Sequence, residues 1–547
     1  MIFKFFISFP LYSILVVSTA SIVASADVAS VSLSYGTFQG FLSGNLTQFL
    51  GIPFGQARRF ALPTDPTPFE GVRNATEYGS ACPQQKLVPP PAAAGIVPNQ
   101  YPSVSEDCLT LDIFKPTLHP SPSADKLPVF VWIYGGGFVV GNSRDNDLTP
   151  LVERSIHNDQ PIIVVTINYR VSALGFLPGK EAAAAGITNL ALRDQTFALQ
   201  WIQKHIAAFG GDLTRVVVGG VSAGSMSTAY LLLDNSLNSN QLFRGVFMQS
   251  GTVVPTPTLS SGQATYDSLV SATGCHATDD TLQCLRHLPL DTLMAAVNTT
   301  ANFFSYEALN LVWRPRVDGV VVKSDPWVAI ARGEYGSKIP IMAGMCDDEG
   351  TLFATSSVNV TTNTEFLAFA HSYFLNISPL QMSELARLYP DDPTKGSPFD
   401  TGTANQLSPE YKRISALSSD FFFTSPRRFL SEHASKRQPV WGWLNKVGKI
   451  SNAYLGALHA SDAQIWFTET SSLGMVGMDA LINFVNALDP NHPSAANDNA
   501  EFEWPKWNFH SRDGKSSLLT FNDDGVNVTA DNFREEAVEF LNGVRCS

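Results

Sequence analysis

The 547-residue chain is short of charge, and of positive charge in particular. Charged residues make up 16% of it, and 36 Lys and Arg against 49 Asp and Glu give a net charge of −13 at pH 7. A chain without a basic excess is poorly suited to nucleic acid or anionic lipid, so we expect neither as its main partner. No repeat or low-complexity segment stands out. With 44% hydrophobic residues, the composition is that of a globular protein with a large core.

Long apolar runs are also missing, with one exception at the N-terminus. After residue 26 no segment has 18 consecutive apolar residues, so we expect no stable insertion into a membrane. At the start, Lys4 precedes an apolar run from Phe5 to about Val23, followed by Ala-Ser-Ala at 24–26. This pattern predicts a secretory signal peptide, 1–26, and a secreted protein. An uncleaved signal anchor is the alternative, which the short run and the small residues disfavour.

Cysteine is scarce too, and secretion gives the six cysteines a specific meaning. They are Cys82, Cys108, Cys275, Cys284, Cys346 and Cys546. In an oxidising compartment most should pair. The third and fourth lie close in sequence, and the first two bracket a proline-rich segment. Cys346 and Cys546 remain, as a third bridge or with one or both free.

Secretion likewise gives meaning to Asn-x-Ser/Thr sequons, which accept N-linked glycans on surface loops. The sequence has six, at Asn45, Asn74, Asn298, Asn359, Asn376 and Asn527. We predict glycans at these positions, although Pro379, directly after the Asn376 sequon, weakens that one.

Continuous apolar segments alternate with helical patterns along much of the chain. The predicted strands are 128–140, which runs into a glycine loop, 161–168, 215–219, 242–248, 340–344 and 439–444, and the clearest helix is 189–208. Buried strands alternating with helices predict an α/β fold with a large, mostly parallel sheet and helices on both faces. Because no linker is evident, we interpret residues 27–547 as a single domain.

The most informative motif is Gly-Val-Ser-Ala-Gly at 220–224, which fits Gly-x-Ser-x-Gly. An apolar run precedes it and a helix-compatible run follows, so it lies where a strand turns sharply into a helix. In that context Ser222 is the candidate nucleophile, with its hydroxyl exposed on the turn. Because small residues also cluster by chance in loops, the five letters alone would be a weak signal.

A serine nucleophile needs a base, and the base needs an acid, with both following the serine along the chain in this fold. Seven of the ten histidines follow Ser222, and His459 stands out because it lies in a loop of small residues. The segment 344–350 (Gly-Met-Cys-Asp-Asp-Glu-Gly) follows a predicted strand, and sites form at such strand ends. Asp347, Asp348 and Glu349 all remain candidates for the acid, and an acidic turn that merely caps a helix is the alternative.

Further landmarks, in order, resemble those of the type-B carboxylesterase/lipase family. They are 49–55 (Phe-Leu-Gly-Ile-Pro-Phe-Gly), 105–112 (Ser-Glu-Asp-Cys-Leu-Thr-Leu-Asp), 134–138 (Tyr-Gly-Gly-Gly-Phe), 168–170 (Asn-Tyr-Arg), 209–212 (Phe-Gly-Gly-Asp), 249–251 (Gln-Ser-Gly) and 317–319 (Val-Asp-Gly). The resemblance extends over almost the whole mature chain. It implies the α/β-hydrolase fold and is strongest to secreted fungal members.

The resemblance also implies a role for each matching residue. Ser222 matches the nucleophile, Glu349 the acid and His459 the base. The backbone N–H groups of the oxyanion hole match Gly136, Gly137 and Ala223, while Cys82–Cys108 and Cys275–Cys284 match the family's two common disulfides. No metal and no organic cofactor is implied.

Two departures from the family pattern carry information. The family usually has Glu before the nucleophile, and here that residue is Val221, so we expect altered support for the protonated base and a different substrate preference. Cholinesterases carry a Trp in the first disulfide loop, and residues 83–107 contain none, which disfavours that activity.

The same loop forms a lid in related lipases. Here the apolar, proline-rich segment 87–98 favours a fixed rim over a mobile lid. Leu309, Leu311 and Trp313 fall where the family builds part of its acyl pocket, although core packing is the favoured role for any one of them.

We therefore predict a secreted serine hydrolase that cleaves small-molecule or lipid carboxylic esters through an acyl-enzyme intermediate. A true triacylglycerol lipase with interfacial activation is one alternative. A non-enzymatic adhesion or binding protein on the same fold is another, which we disfavour because such relatives generally lose a triad member and this chain keeps all three.

Overall fold

The structure is a computed structural model that describes residues 28–96, 101–117, 126–234, 242–254, 256–374, 376–449, 451–468, 471–492, 503–508 and 516–546. The predicted signal peptide lies outside these residues and stays a prediction. None of the helices in the described ranges is long and apolar enough to cross a bilayer.

Thirteen strands occur in the described residues, and all belong to one sheet. They are β1 (Val28–Leu33), β2 (Gly36–Ser43), β3 (Leu46–Pro53), β4 (Val72–Asn74), β5 (Thr110–Pro116), β6 (Leu127–Ile133), β7 (Ile163–Ile167), β8 (Gly211–Val221), β9 (Gly245–Gln249), β10 (Ile341–Cys346), β11 (Val440–Asn445), β12 (Ser517–Asn522) and β13 (Gly525–Ala530). The six strands predicted from sequence correspond to β6 to β11.

The sheet is parallel in the middle and antiparallel at its edges. Its order is β1-β2-β3-β5-β7-β6-β8-β9-β10-β11-β12-β13, with β4 paired to β2. The run from β7 to β12 is parallel throughout. The β1, β2, β3 and β5 strands at one edge, and β13 at the other, pair antiparallel. The predicted mostly parallel sheet is confirmed.

Helices cover both faces of the sheet. The α-helices are α1 (Thr149–His157), α2 (Ser172–Phe176), α3 (Lys180–Ala184), α4 (Leu190–His205), α5 (Ala223–Leu233), α6 (Gln263–Ala272), α7 (Thr281–His287), α8 (Leu290–Val297), α9 (Pro326–Arg332), α10 (Thr351–Ala354), α11 (Asn363–Tyr373), α12 (Pro379–Leu388), α13 (Tyr411–Ser419), α14 (Ser425–Ala434), α15 (Ala463–Phe467), α16 (Ser472–Ala487) and α17 (Glu535–Cys546). A π-helical turn, Asp420–Thr424, joins α13 to α14. Short 3-10 turns are Pro91–Ala93, Ile206–Phe209, Ser260–Gly262, Cys275–Ala277, Thr355–Ser357, Pro393–Lys395 and Ala453–Leu455.

The central strands are apolar along their whole length because both of their faces are covered. Every residue of β6 is buried. Its successive side chains point to opposite faces of the sheet, so Val129 and Val131 join one core cluster while Phe130 and Trp132 join another. This arrangement explains why the sequence pattern is continuous rather than alternating.

Neighbouring parallel strands bring their carboxyl ends to one edge of the sheet. Ile133 of β6 pairs with Gly220 of β8, and Val221 of β8 pairs with Gln249 of β9. The loops that follow β6, β8 and β10 therefore meet above this edge, where open α/β sheets place their ligands.

Candidate active site

The turn between β8 and α5 holds Ser222 in a strained conformation. Its backbone angles are φ 55° and ψ −123°, a region that non-glycine residues rarely adopt. A Cβ on Gly224 would overlap the Ile133 carbonyl oxygen, and one on Gly220 would lie 2.8 Å from the same oxygen. Only glycine therefore fits at two residues either side of the serine, as the motif requires.

Ser222 opens onto a cavity of about 520 Å³ together with most of the other predicted site residues. Gly136, Gly137, Ala223 and His459 line the same cavity. Its apolar lining comprises Ile96, Val140, Val221, Met226, Phe303, Phe304, Leu309, Leu311, Leu352, Phe353, Phe423 and Ala460. A cavity with apolar walls and a few polar groups is the usual form of a small-molecule site.

The structure places the three acyl-pocket candidates in different surroundings. Leu309 and Leu311 line the cavity and are at the same time buried in the main core cluster. Trp313 is fully buried away from it, and its Nε1 donates to Thr300 Oγ1 at 2.9 Å. Core packing is therefore its role.

The glycine loop after β6 lies directly against the serine turn. Gly136 and Gly137 have φ of 102° and 61°, which favours glycine at both positions. A Cβ on Gly137 would lie 2.7 Å from the Phe303 ring, and one on Gly135 would lie 3.0 Å from the Ser222 Cβ. The loop backbone can approach a group bound at the serine only because these side chains are absent.

His459 is held by a carboxylate and by two aromatic rings. Its Nδ1 contacts Oε2 of the fully buried Glu349, whose other oxygen accepts a hydrogen bond from Cys346 N at 2.7 Å. The imidazole packs between Phe353 and Phe423, with ring centroids 5.1 and 4.9 Å away. Nε2 is buried and has no hydrogen-bond partner. With Nδ1–H directed at the carboxylate, Nε2 is the free basic nitrogen.

Three consecutive acids after β10 have three different surroundings. Only Glu349 contacts His459. Asp348 accepts hydrogen bonds from Phe399 N at 2.8 Å and Ala457 N at 3.0 Å, which ties it to the histidine loop. Asp347 instead pairs with Lys449 at 2.5 Å. Sequence reasoning from the residues alone could not separate these roles.

The electrostatics of the two aspartates differ accordingly. Burial, reinforced by the negative charge of Asp347, raises the pKa of Asp348 to about 6. Burial also acts to raise the pKa of Asp347, but the charges of Lys449, Arg534 and Lys446 outweigh it and hold that pKa below its usual value.

A buried polar cluster beneath the histidine loop was missed from the sequence. Asp462 is fully buried and accepts hydrogen bonds from Gln249 Nε2 at 2.7 Å and Trp443 Nε1 at 2.8 Å. The free thiol of Cys346 donates to the same carboxylate at 3.4 Å, and burial raises the pKa of that thiol well above its usual value. Cys346 therefore makes no third disulfide, while the side chain of Cys546 lies outside the described residues.

The described part of the chain contains two disulfides. Cys82 is bonded to Cys108 and Cys275 to Cys284. All six sequon asparagines are exposed, so each is accessible to a glycan, and glycosylation itself stays a prediction.

The first disulfide loop is fastened to the cavity rim at several points. Gln85 N donates to Val139 O at 3.0 Å, next to the glycine loop. Lys86 N donates to Asn298 Oδ1 at 2.7 Å, and Tyr454 OH donates to Ala92 O at 2.9 Å. The end of the proposed rim, residues 97 and 98, lies outside the described residues.

Two further polar residues on the cavity were also missed. Asp145 and Asn146 line it and follow the glycine loop closely in sequence. That position, a few residues after a candidate oxyanion loop, is the signal that could have identified them. No group of three or more His, Cys, Asp or Glu side chains within the described ranges is arranged to hold a metal ion.

Comparison with known proteins decides the family. The model of the Carboxylesterase family matches residues 27–541. The chain belongs to this family. It is a carboxylic ester hydrolase of the type-B carboxylesterase/lipase family, as the sequence landmarks indicated.

The carboxylesterase is similar to fungal proteins over nearly its whole length. Lipase 4 of Diutina rugosa is 36% identical over 96% of this chain and 98% of its own. Secreted lipase 1 of Botryotinia fuckeliana (strain B05.10) is 33% identical over 95% of this chain and 93% of its own. The crystal structure of Aspergillus niger EstA has a TM-score of 0.79 and 27% identity, covering 94% of this chain and 98% of that one. The α/β-hydrolase fold is thereby confirmed.

Proposed function

We propose that this carboxylesterase is a secreted serine hydrolase in which Ser222, His459 and Glu349 form the catalytic triad. His459 Nε2 takes the proton of the Ser222 hydroxyl as its oxygen attacks the ester carbonyl. Glu349 fixes the imidazole and stabilises its positive charge. The alcohol leaves with a proton from His459, and water activated by the same nitrogen then releases the acid from the acyl-enzyme.

The backbone N–H groups of Gly136, Gly137 and Ala223 are the proposed donors to the carbonyl oxygen in the transition state. Donors that are fixed before the reaction stabilise developing charge without reorganisation, and each is typically worth a factor of about 100 or more in rate. The positive φ of the two glycines and the start of α5 at Ala223 support this role.

One observation carries the proposal: the strained serine and an imidazole fixed by a buried carboxylate line one cavity. Nε2 of His459 makes no hydrogen bond in this structure, so it does not yet bond to Ser222. Such hydrogen bonds are often long before substrate binds and tighten in the complex. The free nitrogen is the one that a base needs.

The experiment is the Ser222→Ala variant, assayed with p-nitrophenyl butyrate. We expect the rate to fall at least 10⁴-fold, to a residual level, with an unchanged circular dichroism spectrum. Rates within tenfold of the parent in a folded variant would contradict the assignment.

A triacylglycerol lipase with interfacial activation is the second candidate, because relatives carry the name lipase and one is named a secreted triacylglycerol lipase. The fastened disulfide loop favours a fixed rim and hence a plain esterase. Tributyrin hydrolysis should therefore follow ordinary saturation, whereas a sharp rise in rate above the solubility limit would favour the lipase. The names "secreted lipase" among the relatives support export of this chain.

A further inference from the structure

A second cavity of the protein lies outside the Ser222 site. It measures about 410 Å³, and residues of α9, α11, α12, α17 and the π-helical turn between α13 and α14 line it. Among the described residues, none lines both this cavity and the one at Ser222. Part of its wall is aromatic and comes from Trp327, Tyr373, Phe374 and Phe421. We call it the Arg314 cavity, after an arginine that also lines it.

Arg314 differs from the arginines that pair with carboxylates in the core, such as Arg170, which pairs with Asp194 at 2.6 Å. Within the described part of the chain, Arg314 forms no ion pair. Its side chain donates a single hydrogen bond, from Nη2 to Asn310 Oδ1 at 3.0 Å. Burial lowers the pKa of the Arg314 guanidinium, as it does for a cation without a nearby anion. The positive charge of Arg314 is therefore uncompensated.

Backbone carbonyl oxygens do not replace the missing anion. Arg244 and Arg316 likewise form no ion pair in the described ranges, but each donates to two carbonyl oxygens. Arg314 makes no such bond to a described residue, and its Nε is buried with no hydrogen-bond partner. The charge of Arg314 also acts unfavourably on that of Arg316 nearby, so the surroundings are more positive still.

The other charged side chains of the cavity do not neutralise Arg314. Asp325 is committed to the start of α9, where its Oδ1 accepts hydrogen bonds from two backbone N–H groups. Arg545 adds a second guanidinium, which lies 3.9 Å from the centroid of the Phe421 ring. The described lining thus has two arginines against one aspartate. An excess of positive charge in a cleft attracts anions.

Donors without acceptors also line the Arg314 cavity. The indole Nε1 of Trp327 is buried and has no hydrogen-bond partner. The amide oxygen of Gln381 accepts from Ser378 N at 2.9 Å, which leaves the NH₂ group as the available end of that side chain. Buried donors normally have an acceptor. Together with Arg314 Nε, these groups indicate that an acceptor belongs in the cavity.

The chemistry of the walls matches an anion with an apolar body. A guanidinium presents its N–H groups in a planar fork that fits the two oxygens of a carboxylate. The aromatic rings offer apolar surface that a small inorganic anion would leave uncovered, and an organic body gains free energy by covering it. An aromatic or aliphatic carboxylate meets both requirements.

We propose that the Arg314 cavity is a second ligand site, which binds an aromatic or aliphatic carboxylate with its charged end at Arg314. Hydrolysis of carboxylic esters releases acids of this class, so the products of the enzyme include suitable ligands. Because the two cavities share no described lining residue, this inference does not depend on the assignment of Ser222 as the nucleophile.

The test measures the binding of 4-phenylbutyrate by isothermal titration calorimetry at pH 7. Ser222 is first blocked with a fluorophosphonate, so that the acid cannot bind at the ester site. Every protein carries Asn376→Gln, because Asn376 is a sequon residue that lines the Arg314 cavity. We expect one site with a Kd of about 1 mM or tighter, and binding of the uncharged 4-phenylbutanamide that is weaker by about tenfold or more.

Arg314→Met removes the charge and should weaken the binding of 4-phenylbutyrate by about tenfold or more, the usual worth of a hydrogen bond to a charged group. Arg332→Met is the matched control. It removes an exposed arginine outside the cavity lining and should leave the Kd unchanged.

A second variant makes the test independent of how well Arg314→Met folds. Gln381→Glu keeps an oxygen for Ser378 N but replaces the amide donor with a negative charge. It should also weaken the binding of 4-phenylbutyrate by about tenfold or more.

Equal affinity for the acid and the amide would overturn the inference, and so would an unchanged Kd in either folded variant. Absence of binding to the parent at about 10 mM acid would overturn it as well. These results leave the proposed mechanism intact, because that mechanism fails only if hydrolysis survives Ser222→Ala or if the fluorophosphonate labels another residue.

Discussion

Different kinds of interaction fix the two sides of the cavity. The elbow wall, residues 135–137 and 220–224, is fixed by close backbone packing that excludes even a methyl group. The histidine wall, residues 347–349 and 456–462 with Lys449, is fixed by buried charges and hydrogen bonds. One wall should therefore respond to side-chain volume and the other to charge and pH.

The largest effect is expected on the histidine wall, where one carboxylate orients the base. Glu349→Gln keeps the shape but removes the charge and allows the wrong tautomer of His459. We expect kcat on p-nitrophenyl butyrate to fall by about 10⁴, as is typical when a triad acid becomes an amide.

Asp348→Asn is the matched comparison for that prediction. It changes the neighbouring acid, which holds the histidine loop without touching the imidazole. Its main cost should appear in thermal stability, with kcat within tenfold of the parent. Equal losses of kcat in the two variants would remove the distinction between an orienting acid and a supporting one.

On the elbow wall, the addition of a single methyl group should be enough to impair catalysis. In Gly224→Ala the new Cβ would overlap the Ile133 carbonyl oxygen and lie 2.5 Å from that of Tyr134. Because both neighbours are backbone atoms, one at the end of β6 and one directly after it, the turn itself must move, and a displacement of about 1 Å costs roughly 100-fold in rate. We expect that loss of kcat at every pH between 5 and 8.

Gly95→Ala provides the control, since Gly95 also lines the cavity but a Cβ there meets nothing within 4 Å. Its activity should be close to that of the parent. If both alanine variants were equally active, close packing would not be what holds the elbow wall.

The smallest effect, and the one that depends on pH, is expected at Lys449. The pKa of Asp347 is lowered, so its contribution to stability is present above the unfolded pKa of about 3.9 and is lost as pH falls. The pKa of Asp348 is raised to about 6, so its contribution is present at low pH and is lost as pH rises through 6. Lys449→Met removes a positive charge that favours the ionised form of both.

The cost of that substitution should therefore be greatest above pH 6, where both carboxylates are ionised. We expect the substitution to lower the free energy of unfolding by about 3 kcal/mol at pH 7 and by clearly less at pH 4.5, as measured by denaturant unfolding at the two pH values. Lys323→Met, at an exposed lysine outside the cluster, should show no such dependence. A loss of stability in Lys449→Met that did not change with pH would contradict the view that charge interactions fix the histidine wall.

The same contrast explains what the sequence could predict. Strands β6 to β11 and the elbow are encoded in short local patterns, so they could be located from the residues. The edge strands β1, β2 and β4 were missed because they are largely exposed, which breaks the apolar run; only two of eight residues in β2 are buried, and none of β4 is. Strands β3 and β5 are mostly buried, but polar residues such as Gln48 and Asp112 interrupt their apolar runs. Strand β13 was missed for the same reason as β2 and β4, since it has no buried residue.

The residues of the functional site show the same contrast between local motifs and contacts that only the fold creates. Ser222 could be assigned from its motif, but the residues alone left Asp347, Asp348 and Glu349 equivalent, and family resemblance was needed to choose Glu349. Their separation depends on partners such as Lys449 and Ala457, which lie about 100 residues further along the chain. Asp462 carried no motif at all, because its importance arises only from what the fold places beside it.

The central claim, that Ser222 is the nucleophile of an ester hydrolase, is tested most directly by covalent labelling. The purified protein is treated with a fluorophosphonate, digested and mapped by mass spectrometry, with Ser222→Ala and Glu349→Gln in parallel. We predict one adduct per chain on the peptide containing Ser222, none in Ser222→Ala and much slower labelling in Glu349→Gln. An adduct on another serine, or equal labelling of the Ser222→Ala variant, would contradict the claim.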